Sequence, residues 1–271
     1  MLLILVPVMA GGLPILALAD NVETAKLVTE DAFPVDAGST EFEIGYQHGT
    51  ADTLFDYDGE LIARGDVEGQ FIVAKVTHGI RERLDASIEV SWRDVIEDAD
   101  GELGDGIGNI TVNAKWLFYQ DDEKGLAVGW VPGFTAPFAG DAVNERRAPG
   151  QDYWSINNLL VLTYVVGGFN LNVDVGHFLA LGDKRDDQRS EFIGDVALGW
   201  QLNTWLQIQA EFNYGHASAS RGNGSVNYAA TIGALMNVSD SVRIDVGLQE
   251  VVVGRNADNV TVLIANFSKT F

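Results

Sequence analysis

Two short stretches of this chain carry residue types at spacings that could do chemistry. His216 and Ser218 stand two apart, so an extended chain puts both on one face with Phe212 and Tyr214. An imidazole that takes a serine proton makes a nucleophile, provided an amide or acid orients the ring. Asn223 and Asn227 are the nearby candidates for that role. The pair lies in a run rich in Gly, Ser and Ala, where such a spacing arises readily by chance. The second stretch, residues 98–105, begins Asp-x-Asp like a calcium loop. It has Leu103 where the sixth position needs Gly and Asn109 where the twelfth needs Glu, so it is not an EF-hand. What remains is loose bridging of divalent cations to lipid phosphates, or a solvated acidic surface. His48, His78 and His177 occur singly, and the chain has no Cys, so the sequence predicts no metal centre. It also carries no phosphate loop and no dinucleotide fingerprint, and no cofactor is expected.

A larger set of polar residues makes sense only through the elements that hold it. After residue 40 the hydrophobic period is two rather than 3.6. Leu206, Ile208, Ala210, Phe212 and Tyr214 alternate with Gln207, Gln209, Glu211 and Asn213. The same alternation runs through residues 84–93, 109–118, 169–176 and 242–249. Twelve strands are predicted, near 40–49, 68–78, 83–95, 107–119, 125–136, 153–165, 169–179, 191–202, 204–215, 226–237, 241–252 and 259–270. Their connections are short on one side and, apart from 253–258, long on the other. That is the arrangement of a transmembrane barrel. A soluble sandwich also alternates, with its apolar face inside. Aromatic residues gathered at strand ends (Trp92, Trp116, Trp130, Trp154, Trp200, Trp205) favour the inverted order, apolar face to lipid.

The fold class that follows is all-β: a single transmembrane antiparallel barrel over residues 40–271. Residues 1–19 read as a signal peptide. No charge falls between Leu2 and Leu18, and Ala17-Leu18-Ala19 forms a small-x-small cleavage site. No Lys or Arg precedes the apolar run, which departs from the usual pattern. Residues 20–39 are left as a periplasmic lead-in or as a segment entering the barrel mouth. An even strand count puts both termini on the periplasmic side of a bacterial outer membrane. The predicted interior face carries Glu43, Lys75, Asp85, Glu89, Arg93, Lys115, Asn172, Asp174, Asp195, Gln207, Gln209, Glu211, Arg243 and Asp245. Opposite charges there either set a transverse field for polar solutes or pair and fill the interior. The formal charge of −22, from 39 acids against 17 bases, argues against nucleic acid as a partner.

Four segments carry a family resemblance. TEDAFPVDAGSTEFEIGYQH (29–48), THGIRERLDASIEV (77–90), GDGIGNITVNAKWLF (104–118) and GLAVGWVPGFTAPFAG (125–140) resemble the family described as putative MetA-pathway of phenol degradation. The third is the best match, with Asn109 where the pattern has Asp. The resemblance implies an outer-membrane barrel transporter, with uptake of aromatic or hydrophobic compounds as the family name suggests. Leu263, Ala265, Phe267 and Phe271 resemble the terminal signal that barrels present to their insertion machinery. His216 and Ser218 have the spacing of the His-x-Ser pair in outer-membrane phospholipase A-like and lipid A deacylase-like enzymes, but lack the Ser-Asn-Gly that accompanies it there. The readings to be weighed are therefore a small-solute channel, a lipid hydrolase and a filled structural barrel. The implied partners are outer-membrane lipids and lipopolysaccharide, the insertion machinery and a small-molecule solute.

Overall fold

The computed structural model describes residues 27–97, 101–137, 153–181, 190–218 and 224–271. The signal-peptide segment, Asn223 and the start of the 98–105 acidic stretch lie outside them. Alternating side chains and turn residues at regular intervals produce strands β1 (Thr40–Phe55), β2 (Leu61–Arg81), β3 (Leu84–Glu97), β4 (Gly101–Asp121), β5 (Leu126–Ala136), β6 (Trp154–Val166) and β7 (Phe169–Leu181). They continue as β8 (Ser190–Asn203), β9 (Leu206–Ser218), β10 (Ser225–Ser239), β11 (Val242–Arg255), the two-residue β12 (Ala257–Asp258) and β13 (Thr261–Thr270). Each long strand pairs antiparallel with its neighbours, and β1 pairs with both β2 and β13. The twelve long strands therefore close on themselves, and no edge is left open. At the seam, Phe271 N–H donates to the Thr40 carbonyl at 2.9 Å.

Polarity is inverted relative to a soluble barrel. On β9, Gln207, Gln209 and Glu211 are buried while Ile208 and Phe212 are exposed. On β7, Asn170, Asn172 and Asp174 are buried while Phe169 and Val175 are exposed. The outer face carries two aromatic belts. Trp116, Trp130, Phe169, Trp200 and Trp205 lie toward the short turns. Phe134 and Trp154, stacked at 4.9 Å, lie toward the long loops with Phe192 and the Tyr214–Tyr228 pair at 5.1 Å. On β8, Phe192 and Trp200 are separated by a rise of roughly 20 Å along the membrane normal, at ~3.3 Å per residue and a tilt of ~40°. That matches an apolar band facing lipid.

The strands at the long-loop end outrun their predicted limits. β1 and β2 extend through what the sequence suggested was a loop at 50–67, down to Leu54↔Ile62 and Phe55↔Leu61. The Asp58-Gly59 dipeptide closes this ribbon, with Gly59 at φ +82° and Asp56 N–H donating to the Glu60 carbonyl at 2.9 Å. At β4–β5, pairs run at Asn113↔Gly133 and Trp116↔Trp130 in one register, with Pro132 between them. Proline has no N–H, so the ladder is interrupted there.

Lipid exposure gives a depth-dependent test. Ile232 sits mid-strand on the outer face of β10, and Val238 sits at the short-turn rim. Ile232→Lys should lower folding free energy in vesicles by about 2–4 kcal/mol and Val238→Lys by about 0–1 kcal/mol, read by denaturant titration. Equal costs would count against a membrane span centred near Ile232.

Candidate functional site

Charged groups of both signs converge in the lumen, and a strap of the chain crosses it. Residues 27–36 form the strap. They run through the barrel interior, because the carboxylates of the wall need donors and this strap's backbone supplies them. Glu211 accepts from the Leu27 N–H at 2.8 Å, the Thr29 N–H at 2.9 Å, the Thr29 hydroxyl at 2.8 Å and the Val28 N–H at 3.2 Å. The Glu30 N–H donates to Asp174 at 2.8 Å, the Ala32 N–H to Thr163 at 2.9 Å and the Val35 N–H to Asp85 at 2.9 Å. Apolar contacts add to this. Leu27 packs with buried Leu235 and Ile264, and Ala32 with Leu117, Ala127 and Val161. The strap leaves past Gly79, where a side chain would lie 2.0 Å from the Asp36 carbonyl oxygen. Only glycine admits so close a crossing.

The strap's side chains answer the cations of the wall. Glu30 lies 2.5 Å from the Lys115 ammonium and 3.9 Å from that of Lys75, and Asp31 lies 3.5 Å from Lys115. Lys115 also donates to the Phe33 carbonyl at 3.3 Å. Burial alone would raise the Glu30 carboxyl. The ammonium groups of Lys115 and then Lys75 outweigh it and hold the group down at about 2.

The wall residues divide into two sectors. Register places Glu43 opposite Lys75 and Lys75 opposite Glu89, while Ser268 separates Glu43 from Arg243. Charge alternates along that row, and Arg243 lies 4.0 Å from Glu43 and 3.1 Å from Asp245. Arg93 stands farther up the same face of β3, opposite Phe71. The other sector is acidic and amidic. Asp174 pairs in register with Asp195, which accepts from Asn213 at 3.0 Å. Asn170 donates to Gln207 at 2.7 Å, and Gln209 donates to Glu211. Asn172 is fully buried beside them.

Two cavities beside the strap open into the lumen among the described residues. One of about 470 Å³ faces the short turns and is lined by Glu41, Glu43, Asp85, Lys115 and Arg243 with the strap. The other, about 380 Å³, faces the long loops. Glu30, Lys75, Glu89, Asn113 and Val131 line both, so they mark the partition between them, with the charges on three of the five. The upper cavity also has an apolar wall of Val131, Leu159, Phe178 and Tyr153, which sequence reasoning missed. Its signal was the run Leu159–Leu162, where apolar residues occupy both strand faces. Glu30, Asp31 and Phe33 were also missed, since a strap without periodicity gives no sign of facing inward.

The His216 and Ser218 pair is not assembled as a nucleophile. The Ser218 hydroxyl donates to the Ser190 carbonyl at 3.1 Å and lies 2.8 Å from the Ser190 hydroxyl. Asn227 pairs with Gly215 and shares its inward face, opposite to that of His216. Among the described residues, no group of His, Asp or Glu has the geometry to hold a metal ion.

The family model described as putative MetA-pathway of phenol degradation matches residues 28–254. The chain belongs to that family. An outer membrane channel from Pseudomonas putida F1 superposes with a TM-score of 0.78 at 14% identity, covering 89% of this chain and 98% of that one. The NanC porin gives 0.54 at 10% identity, with 86% and 98% covered. The CymD monoaromatic hydrocarbon channel gives 0.50 at 11%, with 88% and 89% covered. No curated protein matches by sequence. At these identities the structures establish fold: this phenol-degradation family member has the fold of the outer-membrane barrels.

The low Glu30 value sets a pH test. A depressed carboxyl contributes its full stabilisation above its ordinary value of 4.5 and loses it as pH falls toward about 2. Amide exchange at the strap should be slower in the native protein than in Glu30→Gln above that ordinary value. The gap should close on acidification through this window. A gap unchanged down to the folded-state value would disprove the Glu30–Lys115 tether.

Proposed function

We propose that the barrel is a channel for passive passage of small solutes across the outer membrane, with weakly polar aromatic compounds as the preferred class. The observation that carries this is the pair of lumenal cavities meeting at the charged Glu30, Lys75 and Glu89, with Asn113 and Val131 beside them. A narrow charged partition next to an apolar pocket selects by size and polarity together. Tyr153, Phe178 and Leu159 offer a ring-sized apolar surface in an otherwise polar passage. Membership of a family named for phenol degradation supports the same class of solute. Short turns and both chain ends then face the periplasm, and the acidic long loops face outward among lipopolysaccharide. Outward-facing Phe267 and Phe271 suit recognition by the insertion machinery.

A second reading, a filled structural barrel, is favoured by the strap itself. Conductance separates the two. The native protein in planar bilayers should give small current steps. Glu211→Gln weakens the acceptor of Leu27, Val28 and Thr29 and should give steps severalfold larger. Silence from both proteins would leave the structural barrel standing. For solute class, Phe178→Glu should slow entry of a neutral phenol into liposomes while leaving a neutral sugar of similar size unaffected. Equal slowing would refute the aromatic preference.

A further inference from the structure

The lipid-facing surface has one depression that the channel reading does not use. It is about 460 Å³, on the outer wall near the short turn between β2 and β3. Trp116 and Trp130, paired across β4 and β5, form its sides. Small Ala114 and the ring of Pro132 form its floor, so the dent coincides with the interrupted ladder. Leu84 and the side chains of Arg81 and Arg83 close the end toward the turn. Both arginines are exposed, and neither forms an ion pair among the described residues. The chain has only 17 basic residues against 39 acids, which makes two arginines bordering an apolar groove at the membrane surface unusual.

We infer that this groove binds one anionic glycerophospholipid, its phosphate held by Arg81 and Arg83 and an acyl chain laid between Trp116 and Trp130. Three features argue for it together. The guanidinium forks match phosphate oxygens geometrically as well as in charge. The indoles sit at the interface depth where amphipathic rings favour headgroups on one side and chains on the other. The groove is apolar where a chain would lie and basic only at the rim, the charge order of the ligand itself. A soluble anion would have no use for the apolar part, and a neutral lipid would have none for the arginines.

Quenching of tryptophan fluorescence by brominated lipid tests this on the purified full barrel in detergent. Brominated phosphatidylglycerol should quench at concentrations at least about tenfold lower than brominated phosphatidylcholine, and Arg81→Gln with Arg83→Gln should erase that difference, a change of roughly 1.4 kcal/mol. Equal quenching by the two lipids in the native protein would reduce the groove to ordinary lipid contact and overturn the proposal. So would displacement of the brominated phosphatidylglycerol by millimolar inorganic phosphate, which would mark a free-anion site. Folding of each variant is read from heat-modifiable gel mobility. Should the double variant fail that check, Ala114→Leu fills the floor while keeping both arginines. Loss of the phosphatidylglycerol preference in Ala114→Leu supports the groove, and its retention overturns it.

Discussion

A carboxylate turned into a narrow barrel must find a donor, and most of this structure follows from how Glu211, Asp174 and Asp85 find theirs. Closing the sheet satisfies the backbone of every strand but leaves none of it to serve side chains in the lumen. Water alone would do in a wide pore. A twelve-stranded barrel is narrower, and the acids on β7, β8 and β9 face one another at close range. The strap resolves this by offering N–H groups that no ladder has claimed. Three successive amides converge on the one carboxylate of Glu211. The barrel thereby gains a partition in its lumen from the same contacts that make its interior charges tolerable.

The opposite sector needs the reverse service. Lys75 and Lys115 point inward with Glu43, Glu89 and Asp85 beside them, yet they form ion pairs with Glu30 and Asp31 of the strap. One short segment thus presents backbone donors to the acidic side and carboxylates to the basic side. Apolar Leu27 and Ala32 sit where the wall itself is apolar, at Leu235 with Ile264 and at Leu117 with Val161. The strap is matched to the lumen along its length, by hydrogen bonds, ion pairs and apolar contacts in turn.

These contacts also explain what could and could not be read from sequence. Alternation such as Gln207–Ile208–Gln209 carries the facing of each residue in its own neighbourhood, so the strand number was legible. The strap has no such period. Leu27 meets Glu211 across 184 residues, and nothing local marks that meeting. The β1–β2 ribbon was half legible: its Asp-Gly turn is a clear signal, but the acidic run around it reads equally well as solvated loop. Leu159 and Phe178 were hidden for a different reason. They are apolar residues on an inward face, and a two-period pattern assigns apolar residues outward unless parity is counted from both ends of the strand.

The apolar wall and the charged partition impose different costs on a passing solute. Glu30 pairs with Lys75, and Glu89 stands opposite Lys75 in register, so in the proposed channel a small neutral molecule would cross without breaking an ion pair. A charged solute has to compete with Lys115 for Glu30 or with Glu43 and Glu89 for Lys75. A sugar would pass the partition but gain little from Phe178, Leu159 and Val131, the register partner of Leu159. A single aromatic ring with one hydroxyl meets neither obstacle: its face suits the upper wall, and its hydroxyl can hydrogen-bond to the paired charges without separating them. The selectivity argued for this lumen therefore rests on the charges being paired, since the same residues left unpaired would favour ions instead.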